Sequence, residues 1–129
     1  MAYRNIRDDA PQAVQRAYDF VLWLVKKVEN FPRSYRFTVG ERLTATALDL
    51  LTALVEAAYS RKKEPLLDTA SQKVNTTRFL LRLARDLQLL SQDSWGFSAE
   101  SLDEVGRMVG GWRKASGRDA GQAREQVQA

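Results

Sequence analysis

Apolar residues recur every three or four positions in four segments of this 129-residue chain, and this spacing restricts the possible folds more than any other feature. Side chains at that spacing share one face of an α-helix, and such faces are buried where helices pack together. We interpret no segment of the sequence as a strand. We therefore predict an all-α protein, an up-down-up-down four-helix bundle with short loops.

Prolines and capping residues predict where the helices begin. The four predicted helices span residues 11–29, 38–59, 65–90 and 99–114. Asp8 or Asp9 is expected to cap the first helix. Pro11 suits the first turn, because a backbone N–H at that position would have no partner within the helix. Thr38 and Glu41 match a capping box, which predicts the start of the second helix.

Two of the predicted loops carry aromatic side chains. Pro32 interrupts the chain in the loop 30–37, whose aromatics are expected to cover one end of the bundle. The loop before the fourth helix holds Trp95 and Phe97. Ser98, at the end of that loop, is expected to cap the fourth helix.

Length and composition predict one domain with flanking segments. A chain of this length can bury most of its apolar surface without a disulfide or a metal. The parts are an N-terminal segment (1–10), the four-helix bundle (11–115) and a tail (116–129). The tail is polar and rich in Gly, Gln and Ala, which predicts a disordered C-terminal tail.

The first helix carries a second stripe beside its expected core. The core stripe consists of Val14, Ala17, Tyr18, Val21, Leu24, Val25 and Val28. The second stripe lies about 130° away around the helix and consists of Arg16, Phe20, Trp23 and Lys27. Soluble monomers usually avoid such exposed aromatics, so we expect an oligomer or partner interface there, with base stacking as an alternative. Leu81 and Leu89, outside the expected core of the third helix, are assigned to the same interface.

A row of arginines follows one side of the third helix. Arg78, Arg82 and Arg85 lie within about 60° of arc, and such a row can match the regular charge of a nucleic-acid backbone. The expected core on the other side consists of Phe79, Leu80, Leu83, Leu87 and Leu90. Asp49 and Glu56 of the second helix could instead neutralise part of the row, so internal pairing stays open.

The overall charge also favours an anionic partner. Twenty basic and sixteen acidic residues give a net charge of +4 and a pI near 9.6. Weaker candidates for phosphate contact lie near the ends of the bundle and are Arg33, Arg36, Arg107 and Arg113. No base-reading group is evident, so any specificity is expected to come from RNA shape or from a partner protein.

Missing residue types exclude several classes of function. The chain has no cysteine and no histidine, which excludes disulfides, thiolate metal sites and a histidine triad. The acidic pairs Asp8–Asp9 and Asp103–Glu104 lie near helix starts, where capping is expected. We therefore expect no enzymatic activity, metal, cofactor or small-molecule substrate. No apolar run is long enough for a membrane span and no signal peptide is evident, so a cytoplasmic protein is expected.

Three glycines interrupt the fourth predicted helix. Gly106, Gly110 and Gly111 each cost about 1 kcal/mol relative to alanine inside a helix. A compensating contact is therefore expected at these positions. We predict the close approach of another backbone.

Five sequence runs together resemble a known family. They are Tyr18-Asp-Phe-Val-Leu-Trp-Leu, Phe31-Pro-Arg-Ser-Tyr-Arg-Phe, Ala47-Leu-Asp-Leu-Leu, Leu80-Leu-Arg-Leu-Ala-Arg-Asp-Leu and Glu104-Val-Gly-Arg-Met-Val-Gly-Gly-Trp. In this order and spacing they resemble the accessory variability protein of diversity-generating retroelements, over residues 14–115. A looser relative is the four-helix protein encoded in intervening sequences of bacterial ribosomal RNA genes.

The resemblance implies a function that the spacing of residues does not. It implies a basic bundle that forms a ring-like homopentamer and binds the retroelement's reverse transcriptase, template RNA and cDNA. Such a subunit has no active site, and the polymerase carries out the mutagenic cDNA synthesis that diversifies a target gene. The alternative is a protein-protein interaction bundle that binds a polymerase or another partner without contacting nucleic acid.

Overall fold

The computed structural model describes the backbone of residues 11–128 and the side chains of residues 11–117. Over that range the chain forms four helices and no strand, which confirms the predicted all-α four-helix fold. The helices are α1 (Gln12–Glu29), α2 (residues 33–59), α3 (Glu64–Asp86) and α4 (Gln92–Gln128). Each helix packs against its neighbours in the chain, and α1 also packs against α4, so the four enclose one apolar core.

The first helix begins at Gln12, with Pro11 in the cap position. Pro11 makes no capping hydrogen bond through its side chain. The predicted caps Asp8 and Asp9 lie outside the described residues. No helix within residues 11–128 is long and apolar enough to cross a membrane.

The second helix starts earlier than predicted and has an irregular beginning. Its parts are a short α-helical turn (Arg33–Tyr35), a π-helical segment (Arg36–Gly40) and a regular α-helix (Glu41–Tyr59). It starts directly after Pro32, whose fixed φ is compatible with a helix start. The predicted capping box is therefore wrong, because the chain is already helical at Thr38. The Thr38 hydroxyl donates to the carbonyl oxygens of Ser34 and Tyr35, at 3.2 and 3.3 Å.

Gly40 lets the start of α2 approach the end of α1. It is buried, and a Cβ placed on it would lie 2.8 Å from Cγ1 of Val28 and 3.3 Å from the ring of Phe31. A residue with a side chain would displace one of these neighbours. The contact therefore depends on the missing Cβ.

The turn between α3 and α4 is shorter than the sequence suggests. Helix α3 ends at Asp86, and Gln88 takes a left-handed conformation with φ 63°. The hydroxyl oxygen of Ser91 accepts a hydrogen bond from the backbone N–H of Ser94 at 3.1 Å, which caps α4. Ser98 is not the cap, because it is buried inside the helix and donates to the carbonyl oxygen of Trp95 at 2.7 Å.

The last helix continues past the predicted boundary of the tail. The backbone of α4 is helical to Gln128, whereas the tail is predicted to begin at position 116. No side chain beyond Gly117 is described. The domain boundaries and the disordered tail therefore stay predictions.

The predicted core face of α3 is wrong for Phe79 and Leu83, whereas Leu90 is buried and Leu80 packs against the core. The buried residues of α3 are Leu67, Ala70, Val74, Thr77, Leu81 and Ala84. Leu81 is only 1% exposed, whereas Phe79 is 69% exposed and Leu83 is 44% exposed. The packing face contains small residues and Thr77, whose hydroxyl bonds to the carbonyl oxygen of Lys73 at 2.6 Å and can therefore be buried. The large apolar residues of α3 point in part toward solvent.

The core face of α1 also differs from the prediction. Phe20, assigned to the second stripe, is only 2% exposed and belongs to the core. Tyr18, assigned to the core, is 46% exposed. The centre of the buried arc lies on the side of α1 that faces α4. Phe20 is therefore buried and Tyr18 is exposed, the reverse of the prediction.

Candidate nucleic-acid interface

The predicted arginine row lies on the side of α3 that faces α4. A guanidinium nitrogen of Arg78 lies 3.2 Å from a carboxylate oxygen of Asp103 on α4. Arg85 bonds to its neighbour Asp86, at 3.0 Å through Nη2 and 3.1 Å through Nε. Arg82, between these two, forms no ion pair among the side chains of residues 11–117. The row therefore has paired arginines at both ends and an unpaired one in the middle.

Within the described side chains, the carboxylates of α2 that the sequence offers as partners do not pair with the arginine row. Asp49 of α2 lies 3.5 Å from the ammonium group of Lys73, on the other side of α3. Glu56 forms no ion pair within the described side chains. The carboxylates that do pair with the row come from α3 itself and from α4.

Gly106 makes room for the ion pair between Arg78 and Asp103. A Cβ on Gly106 would lie 2.9 Å from Nη2 of Arg78. The close neighbour is therefore a side chain, not the predicted backbone. Apart from adjoining residues and the backbone of α4 itself, no atom in the described part of the chain lies within 4 Å of the Cβ positions of Gly110 and Gly111, so the predicted close approach is not made within this chain.

A groove of about 400 Å³ runs between α3 and α4 beside the row. The residues from α3 that line it include Asn75, Arg78, Phe79, Leu81 and Arg82. The residues from α4 are Trp95, Ala99, Leu102 and Asp103. A second hollow of about 300 Å³ shares Asn75, Arg78 and Asp103 with it and adds Ser71 and Arg107. The two hollows form one basic and aromatic strip along the α3–α4 seam.

The sequence interpretation missed the two aromatics of this groove. The sequence predicts Phe79 in the core and Trp95 in a loop, whereas both lie on helices and line the groove. The guanidinium carbon of Arg85 lies 4.3 Å from the centre of the Trp95 ring. Arg85 therefore contacts an aromatic ring and Asp86, and is only 29% exposed in its side chain. Its predicted role as a phosphate ligand has less support than that of Arg82.

The weaker arginine candidates lie in different places. Arg107 is exposed and joins the α3–α4 seam. Arg33 and Arg36 are exposed at the start of α2, and the guanidinium carbon of Arg36 lies 5.8 Å from the ring centre of Phe37. Arg113 pairs with Asp68 of α3 at 2.6 Å, near the opposite end of the bundle. The structure therefore brings only Arg107 to the row.

The predicted partner stripe of α1 contacts α4 of the same chain. Arg16 pairs with Glu104 at 3.2 Å, and the Trp23 ring lies 5.3 Å from the ring of Phe97. Lys27 lies above the Trp23 ring at 5.8 Å. The assignment to an intermolecular interface is wrong for Phe20 and Leu81, which are buried in the core. It stays a prediction for Arg16, Trp23, Lys27 and Leu89.

A second group of exposed apolar residues lies away from the seam. On α1 and α2 this group includes Tyr18, Leu22, Leu48 and Val55. By the rotation of about 100° per residue, Tyr18 and Leu22 lie away from Arg16, which contacts α4. Leu48 and Val55 likewise lie away from Asp49, which contacts α3. These four residues therefore share one surface, which we call the α1–α2 face.

The described side chains form two kinds of surface and no acidic metal cluster. Within residues 11–117, no cluster of three or more acidic residues is placed to hold a metal ion. What the structure provides is a basic, aromatic seam and an apolar face on a four-helix bundle.

Comparison with known families identifies the chain. A family described as bAvd-like matches residues 13–116, so the chain belongs to the bAvd-like family, the accessory variability proteins of diversity-generating retroelements. The resemblance predicted from the sequence is thereby confirmed. A comparison with curated proteins finds no match.

Proposed function

We propose that this protein is a non-catalytic accessory subunit that binds the template RNA or cDNA of a diversity-generating retroelement through its α3–α4 seam. Membership of the family indicates association with the retroelement machinery. The observation that carries the nucleic-acid contact is Arg82 in the groove, which has no ion-pair partner among the side chains of residues 11–117 and lies between the paired Arg78 and Arg85. The same subunit is proposed to bind the reverse transcriptase.

The existing ion pairs leave the seam available to phosphates. Arg78 and Asp103 are 44% and 53% exposed in their side chains. Exposed pairs of this kind contribute about 0–1 kcal/mol, so a phosphate can compete with the carboxylate. A charged hydrogen bond from Arg82 or Arg107 to a phosphate oxygen displaces only water from the arginine and releases counterions from the nucleic acid.

The test is the binding of a short single-stranded RNA at several salt concentrations. The variant Arg82→Gln/Arg107→Gln is expected to bind at least about tenfold more weakly than the unmodified protein, because two charged hydrogen bonds are lost. The slope of log affinity against log salt is expected to flatten by about 0.7 for each arginine removed.

The matched control removes the same charge elsewhere. Arg42→Gln/Arg61→Gln replaces two exposed arginines that do not line the seam. It is expected to retain most of the affinity. If the two double variants lose affinity equally, binding depends on net charge and the assignment to the seam is wrong.

A second candidate is a bundle that binds the polymerase without touching nucleic acid. The pairing of Arg78 and Arg85 favours it, because these arginines have reduced capacity for phosphate. A gel-shift distinguishes the two. No retention of RNA at low salt, together with co-purification of the reverse transcriptase, would support the second candidate and overturn the first.

The α1–α2 face is the surface that we propose for self-association. It exposes Tyr18, Leu22, Leu48 and Val55, and burying such apolar surface is the dominant favourable contribution to most protein association. The family resemblance implies five copies. A ring would present several seams to one nucleic acid, and such multivalency strengthens a weak contact without any new residue.

A further inference from the structure

We propose that the α3–α4 groove binds one unstacked base of a single-stranded nucleic acid, between Phe79 and Trp95, with Arg82 on an adjoining phosphate. This inference rests on the proposed function and adds a base-binding pocket to the phosphate contacts. It also changes the expectation from the sequence, in which no base-reading group is evident.

The size and floor of the groove suit a flat, largely apolar group. Its volume of about 400 Å³ lies in the range of about 300–1,000 Å³ that small-molecule sites occupy. Leu81 and Leu102 form an apolar floor and are themselves buried in the core. Ala99 leaves the space open, because a larger side chain at this position would project into the groove.

The two aromatic walls are held by different means. Phe79 is 69% exposed, which is unusual for a phenylalanine that serves only packing, and it projects from the middle of a long helix. Trp95 is covered by the guanidinium of Arg85, which does not line the groove and therefore contacts the ring from outside it. Asp86 fixes Arg85 in turn, at 3.0 Å.

This arrangement fixes the Trp95 ring before any ligand arrives. An aromatic surface that is already ordered loses little conformational freedom on binding, so stacking contributes more to affinity. Bases of every type have a stackable face, and proteins that bind single strands use exposed aromatics in this way. Arg85 is thus a positioning residue for Trp95.

Polar groups at one end of the groove can contact the edge of a base. The amide of Asn75 offers both a donor and an acceptor. Asp103 uses one oxygen for Arg78 at 3.2 Å, which leaves its other oxygen able to accept from a base amino group. Arg82 lies one turn of α3 beyond Arg78, where a phosphate attached to the bound nucleotide can reach it.

The test compares two strands that carry the same phosphates. The probes are a short oligodeoxyadenylate and an abasic strand of equal length, with the corresponding oligoriboadenylate to distinguish RNA from DNA. The full chain is expected to bind the strand with bases about tenfold more tightly than the abasic strand, from the contribution of one stacked base.

Two uncharged variants locate that difference in the groove. Phe79→Ala removes one wall, and Ala99→Leu fills the space between the walls. Both are expected to bind the two strands with nearly equal affinity, while the salt dependence stays unchanged because no charge is altered. Tyr59→Ala, which removes another exposed aromatic at the opposite end of the bundle, is expected to retain the tenfold difference.

The outcomes separate this inference from the proposed function. Equal binding of both strands by the unmodified protein, or a full difference retained by Phe79→Ala, would overturn the base pocket and leave the phosphate contacts standing. Binding of neither strand at low salt would overturn the proposed function itself. Because Phe79 is mostly exposed, its variant remains informative even where Ala99→Leu fails to fold.

Trp95 also provides a direct signal. The chain has three tryptophans, and the variant Trp23→Phe/Trp112→Phe leaves Trp95 as the sole one. Its fluorescence is expected to fall on addition of the strand with bases and to change little with the abasic strand. Equal responses to both strands would contradict stacking on Trp95.

Discussion

The α3–α4 seam and the α1–α2 face are both formed by amphipathic helices, but the seam is basic whereas the face is apolar. Two ion pairs, Arg78–Asp103 and Arg113–Asp68, connect α3 to α4. Within residues 11–117, no ion pair connects α1 to α2. An apolar contact at Gly40 joins these two helices instead.

This difference suggests a division of labour on one small domain. A seam that already binds carboxylates through exposed arginines can exchange them for phosphates. A face of exposed leucine, valine and tyrosine gains most from contact with another protein surface. If the two surfaces responded alike to substitution, this division of labour would be wrong.

The largest effect is expected from a charge placed on the α1–α2 face. Leu48→Glu should prevent self-association, because a carboxylate would be buried without a partner in the interface. Sedimentation velocity across a range of protein concentrations measures the assembly. Circular dichroism should show unchanged helix content, since Leu48 is 44% exposed in the single chain.

Leu83→Glu is the matched control for this variant. Leu83 is also 44% exposed, but it lies on α3. The control is expected to assemble normally. Loss of assembly in both variants, or a monomeric unmodified protein at high concentration, would remove the distinction between the two surfaces.

The next effect concerns the contact that joins α1 to α2. Gly40→Ala places a methyl group 2.8 Å from Cγ1 of Val28, and the branched valine has little freedom to move away. We expect a loss of about 1–2 kcal/mol in the free energy of unfolding, the usual range for overpacking reduced by the gain in helix propensity. Urea denaturation measures this loss in the free energy of unfolding. An increase in stability would show that the contact between Gly40 and Val28 is not tight.

Much of the fold could be predicted from the sequence, because helical spacing of apolar residues is a strong local signal. The number of helices, the end of α1 at Glu29 and the end of α2 at Tyr59 agree with the structure. The starts of α2 and α4 and the ends of α3 and α4 were less predictable. Several serines and threonines offer competing caps, and the structure uses Ser91 where the sequence favoured Ser98.

The faces of the helices were harder to predict than the helices themselves. In α3 the large residues Phe79 and Leu83 suggested a core face, but the bundle packs closely on Ala70, Thr77 and Ala84 instead. Small residues give no strong hydrophobic signal, although they allow helices to approach closely. The groove is hard to predict for the same reason, because the spacing of Phe79 is typical of a core residue and does not indicate a ligand contact.

The smallest effect separates two glycines of the same helix. Gly110→Ala should stabilise the protein by about 1 kcal/mol, because alanine favours helix and the new methyl group meets no described atom within 4 Å beyond adjoining residues and the backbone of α4 itself. Gly106→Ala gains the same propensity but places its methyl group 2.9 Å from Nη2 of Arg78. We expect about half of the gain there, because an exposed ion pair with Asp103 contributes at most about 1 kcal/mol.

Binding distinguishes these two variants more clearly than stability does. Gly106→Ala moves Arg78 away from Asp103 at the edge of the groove, so its affinity for single-stranded RNA should change by a factor of about 2–5. Gly110→Ala should leave that affinity unaltered, because Gly110 lies toward the opposite end of the seam, beside Arg113. Urea denaturation and RNA titration of both variants provide the comparison. If the two glycines gave the same stability and the same affinity, the position of Arg78 over Gly106 would have no role in shaping the seam.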